Sequence, residues 1–83
     1  MNVIHRSSIV DQKAILGTNI EIGPFCTVGP GVKIGNGCKL VSHVVLDGDT
    51  DIGDRNTFYP FAIIGAEPQD KKYQQEKTGL FIG

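Results

Sequence analysis

Side chains able to do chemistry are few in this sequence and unevenly spread. There are two imidazoles, His5 and His43, two thiols, Cys26 and Cys38, and one dense polar run, Gln69-Asp70-Lys71-Lys72 continuing through Gln74, Gln75, Glu76 and Lys77. Neither histidine has a Cys, Asp or Glu at a partner spacing, and two imidazoles fall short of the three that a tris-histidine zinc centre needs. No metal site is expected. Both thiols read as reduced and as interior packing, because two cysteines are too few for a disulfide framework and nothing in Met1 to Val10 resembles an export signal. That leaves the polar run, which is either a solvated insertion with no ligand or a binding loop carried on a scaffold.

What must position that run is set by a period. Large apolar residues occupy every sixth position from Ile4 through Val10, Leu16, Ile22, Val28, Ile34, Leu40, Leu46, Ile52 and Phe58 to Ile64. An unbroken series of this kind has a chance of roughly 1 in 100,000 in a chain of this composition. Neither a 3.6-residue helix nor a two-residue alternation produces one apolar phase in six, whereas short strands separated by regular corners do. The corners are legible too. Glycine often follows the apolar residue, as at Gly17, Gly23, Gly29, Gly35, Gly53 and Gly65, and Pro24, Pro30 and Pro60 come one place later. Proline has no amide hydrogen to give a ladder, so its recurrence in one phase marks a corner. Four places after the apolar residue come mostly small side chains: Ser8, Ala14, Cys26, Cys38, Thr50 and Ala62. The sequence therefore predicts a β-solenoid. Cys26 and Cys38 should then face inward from different sides, His43 should sit exposed at a corner, and Tyr59 and Phe61, flanking Pro60, suit either a subunit contact or solvent-shielding packing.

The period fails at Asp70 and Glu76 and returns at Ile82, 18 residues beyond Ile64, which reads as one coil later. One domain is expected over residues 1–83, with repeats at 4–65, an external loop at 66–79 and the start of the next coil at 80–83. A solenoid that stops two residues into a motif, with no cap, reads as a piece of a longer one. Eight basic residues against nine acidic ones leave a net charge of −1, which gives no electrostatic case for nucleic acid or an anionic membrane. No segment approaches the length of a membrane span, so a cytoplasmic protein is the expectation.

Three stretches, Ile22–Gly35 (IGPFCTVGPGVKIG), Leu40–Gly48 (LVSHVVLDG) and Phe58–Tyr73 (FYPFAIIGAEPQDKKY), resemble the hexapeptide-repeat acyltransferases, and among them those that O-acylate UDP-N-acetylglucosamine. The likeness keeps register over nearly the whole chain, and its distinguishing segment is Pro68-Gln69-Asp70 with Lys72 and Tyr73. Lys71 departs from the apolar residue usual there. The resemblance implies an all-β, left-handed parallel β-helix of just under four triangular 18-residue coils plus one external loop. The left hand comes from the resemblance alone, since crossovers between parallel strands are otherwise right-handed.

The activity implied is transfer of a 3-hydroxyacyl chain from acyl carrier protein to the 3-hydroxyl of UDP-N-acetylglucosamine, in lipid A synthesis. It needs no cofactor and takes place in a homotrimer with its sites between neighbouring prisms. By the same resemblance Gln69, Asp70 and Lys72 contact substrate: a carboxylate suits a sugar or acyl hydroxyl, and an ammonium suits a phosphate or carbonyl oxygen. The general base is a histidine on a later coil, so no catalytic residue is expected in this chain and the 83 residues alone should be inactive. Two alternatives stand beside this reading, the N-acyltransferase of the same pathway and a non-catalytic solenoid scaffold. The first usually carries a domain ahead of its repeats, and the second has no need of the polar run.

Overall fold

A computed structural model describes residues 1–65 and 80–83. Every regular element in them is a short strand. The order is β1 (Val3–Ile4), β2 (Ile9–Val10), β3 (Ile15–Leu16), β4 (Glu21–Ile22), β5 (Thr27–Val28), β6 (Val32–Ile34), β7 (Lys39–Leu40), β8 (Val45–Leu46), β9 (Thr50–Ile52), β10 (Thr57–Phe58), β11 (Ile63–Ile64) and β12 (Leu80–Ile82). They assemble into three sheets, which we call A (β1-β4-β7-β10), B (β2-β5-β8-β11) and C (β3-β6-β9-β12). All pairings are parallel, and each strand lies on the one 18 residues before it until β12. The result is a three-sided parallel β-solenoid of four coils, one strand per side.

The six-residue phase is the interior. Ile22, Val28, Ile34, Leu40, Leu46 and Ile52 are all buried, stacked over one another along the three sides. A second inward position lies two residues before each of these. It is filled by Cys26, Cys38 and Thr50, and also by the larger Ile20, Val32 and Val44, all of them buried. The sequence reading saw the small members of this position and passed over the large ones. With one large residue invariant per repeat, the second position takes whatever volume the neighbouring coil leaves free. Ile4, Val10 and Leu16 are only partly covered, because they form the end coil of the stack.

Side chains also tie coil to coil at the corners. The backbone N–H of Thr18 donates to Asn36 Oδ1 at 2.9 Å, and that of Asn36 donates to Asp54 Oδ1 at 2.8 Å. Ser8 Oγ accepts from the Cys26 N–H at 2.8 Å and donates to the Gly23 carbonyl at 2.6 Å. These bonds satisfy backbone groups that the sharp corners take out of the ladders.

One expectation is corrected. Ile82 pairs with Ile52, so β12 forms the third side of the fourth coil. It neither stands one coil past Ile64 nor begins a new coil. Sheet pairing, which the sequence period cannot report, decides the point.

Candidate functional site

Three corners separate the three sheets: corner AB between A and B, corner BC between B and C, and corner CA between C and A. At corner BC the third coil needs four residues to pass from Leu46 at the end of β8 to Thr50 at the start of β9. The fourth coil passes from Ile64 to Leu80, which is sixteen residues and therefore twelve more. Gln69, Asp70 and Lys72 all belong to this insertion and lie outside the described residues.

Gly65 is the last described residue before the insertion. Its φ is +75°, a conformation that glycine adopts at little cost. A Cβ there would strike the Asp47 carbonyl and Thr50 Oγ1, so the chain leaves the wall through a position only glycine fits. Outward side chains flanking the exit are Val45 and Ile63 on sheet B, and Lys33, Asp51 and Phe81 on sheet C. The site is thus a polar insertion on a rigid corner, bordered by an apolar face on one side and a Lys and Asp pair of rungs on the other.

Both histidines stand at a different corner. His5 Nδ1 lies 2.7 Å from Ser7 Oγ and accepts from the Ser7 N–H at 3.1 Å, a local turn. His43, at corner AB, is exposed as expected, with φ +51°. What the sequence reading missed is its company: Phe25 and Phe61 lie one coil below and one above it, with ring centroids 5.1 Å from the imidazole in each case. Spacings of 18 residues, not six, would have revealed this column. Cys26 and Cys38 are buried free thiols on different sides, as the spacing required. Among the described residues no three His, Cys, Asp or Glu side chains come together in a way that could hold a metal ion.

With this geometry in hand, likeness to known proteins becomes specific. The family model for the bacterial transferase hexapeptide, six repeats, matches residues 13–48. The acyl-[acyl-carrier-protein]–UDP-N-acetylglucosamine O-acyltransferase of Thermodesulfovibrio yellowstonii is 47% identical over all 83 residues, which span 32% of that protein. A crystal structure of a UDP-N-acetylglucosamine acyltransferase superposes with a TM-score of 0.87 at 41% identity, over 94% of this chain and 30% of the other. LpxA from Acinetobacter baumannii gives 0.83 at 40% identity, over 96% of this chain and 34% of its own. The chain therefore spans about a third of the relatives it matches. Superposition of this quality requires coils of one hand, and the solenoid is a left-handed parallel β-helix.

Proposed function

We propose that this chain is part of an acyl-[acyl-carrier-protein]–UDP-N-acetylglucosamine O-acyltransferase and supplies one wall of its substrate cleft. In the reaction the glucosamine 3-hydroxyl oxygen attacks the thioester carbonyl of a 3-hydroxyacyl carrier protein. The ester C–O bond forms, the C–S bond breaks, and the hydroxyl proton passes by way of a general base to the departing thiol. Gln69, Asp70 and Lys72 hold the sugar nucleotide and acyl chain: Asp70 accepts from a hydroxyl, and Lys72 donates to a phosphate or carbonyl oxygen. The protein works in the cytoplasm as a homotrimer, with clefts between neighbouring prisms, in lipid A synthesis.

The observation that carries this reading is the twelve-residue polar insertion at a single corner of an otherwise uniform scaffold, in a chain whose full length aligns with enzymes of that name. Neither His5 nor His43 lies at the insertion's corner, so no base is assigned among the described residues. The 83 residues alone are accordingly expected to show no acyl transfer; turnover of acyl carrier protein thioester by the purified chain would refute that assignment.

The test of the site is an NMR titration of the chain and its Asp70→Ala variant with 3-hydroxyacylated UDP-N-acetylglucosamine. Shifts confined to Gln69, Asp70, Lys72 and their neighbours, and abolished in the variant, are the expected result. A folded trimer in which nothing shifts would favour a scaffold role.

A further inference from the structure

Packing alone does not explain Thr50. It is the one buried polar side chain among the described residues, at an inward position that elsewhere holds Ile20, Cys26, Val32, Cys38 and Val44. Its register partner one coil below on sheet C is Val32, a side chain of the same branched shape. Valine therefore meets the demands of space at this point in the stack, and a hydroxyl buried there is costly unless it is bonded. Thr50 Oγ1 donates to the Asp47 carbonyl at 2.8 Å, across corner BC of its own coil.

That corner is unlike the one beneath it. The second coil turns through Gly29-Pro30-Gly31, where the proline ring holds φ negative. The third turns through Asp47-Gly48-Asp49, and Gly48, the counterpart of Pro30, has φ +69°. A turn of this shape admits no proline at its centre, and the hydrogen bond from Thr50 closes it instead.

The change of shape falls directly under the insertion. A Cβ on Gly48 would strike the carbonyl of Gly65, the residue at which the chain leaves the wall. A Cβ on Gly65 would in turn strike the Asp47 carbonyl and Thr50 Oγ1, which are the two atoms the hydrogen bond joins. The exit residue is thus seated on that bond. At the other end the chain re-enters at Leu80, whose strand partner is also Thr50. The side chain of Thr50 meets the departing chain and its backbone meets the returning one.

We propose that Thr50 is the positioning residue of the insertion: its hydroxyl holds the Asp47-Gly48-Asp49 turn in the shape that seats Gly65, while its backbone fixes Leu80. One residue of the wall then sets both the exit and the return of the segment that carries Gln69, Asp70 and Lys72. The proposal rests on the substrate-binding role proposed for that segment and adds the residue that aims it. Thr50 itself touches no substrate and acts through the turn and Gly65.

Two NMR measurements on the chain test this, using Thr50→Val, which keeps the shape of the side chain and loses its hydroxyl, and Thr50→Ser, which keeps the hydroxyl. Without ligand, Thr50→Val should move the Gly65 and Leu80 amide resonances and speed amide exchange at Leu80 by about tenfold. With 3-hydroxyacylated UDP-N-acetylglucosamine it should raise the dissociation constant by about tenfold. Thr50→Ser should restore both. Ser8→Ala, which removes two hydrogen bonds to backbone in the lower coils, controls for general loosening: it should lower the urea midpoint and leave both readouts unchanged.

A Thr50→Val variant whose Gly65 and Leu80 signals match the parent, or that binds the acylated sugar nucleotide as tightly as a parent that binds it, overturns the positioning role. So does a Ser8→Ala variant that shifts the two readouts equally. A parent chain that does not bind the acylated sugar nucleotide overturns the substrate-binding reading instead, and exchange at Leu80 then decides the part played by Thr50.

Discussion

Gly23 shows how little freedom the solenoid leaves to a single side chain. A Cβ on it would run into the Val41 carbonyl of the next coil, which is backbone and cannot swing aside. Gly23→Ala should therefore cost about 1–3 kcal/mol. Leu40, fully buried at the centre of the stack, should cost about 2–5 kcal/mol on truncation to alanine. The check for both is urea unfolding followed by circular dichroism, and an alanine at position 23 with wild-type stability would mean that the coils can separate locally. By contrast, Lys39 Nζ and Glu21 Oε2 are 3.9 Å apart on an exposed face, and breaking that pair should barely register. At this scale the sequence was informative wherever a position recurs every six residues. It was silent on Ile20, Val32 and Val44, whose position alternates between large and small, and on the Phe25–His43–Phe61 column, which recurs only every eighteen.

Elements of two or three residues have no stability of their own, and each exists because the coil on either side supplies its ladder. The insertion at corner BC differs in being anchored at both ends by wall strands, β11 and β12. Deleting residues 67–78 would restore the four-residue passage from Ile64 to the next strand. The shortened chain should keep its parallel-sheet spectrum and match or slightly exceed the parent in stability, because closing a shorter loop costs less. It should also lose all response to the acylated sugar nucleotide. Collapse of the fold on deletion would show that the insertion braces the wall. The location of this element was legible in sequence as a break in the period, and so was its polar character. Its attachment was not, because re-entry is fixed by strand pairing between β12 and β9.

For the molecule as a whole, the six-residue period specified a solenoid, and the likeness to known relatives specified its hand. The insertion is twelve residues long, equal to two repeats, and so leaves the period in phase: Ile82 falls where an apolar residue is due whether or not the intervening residues are wound into the wall. Two windings are thus compatible with the spacing. In one, Ile82 rests on Ile52, as it does in the structure. In the other, residues 66–79 would add two further sides and carry Ile82 round to Ile64. The second would bring Asp70 and Glu76 to the inward phase, and burying an unpaired carboxylate is costly enough to forbid it. Asp70 would then serve twice, once as a ligand for substrate and once as a barrier against a longer coil. Asp70→Leu combined with Glu76→Leu should open the alternative, detectable as new backbone contacts between Ile82 and Ile64. Asp70→Asn, still polar, should not. Much of what keeps this solenoid in one form is therefore the placement of charge where a twelfth or thirteenth repeat of the same pattern would have needed oil.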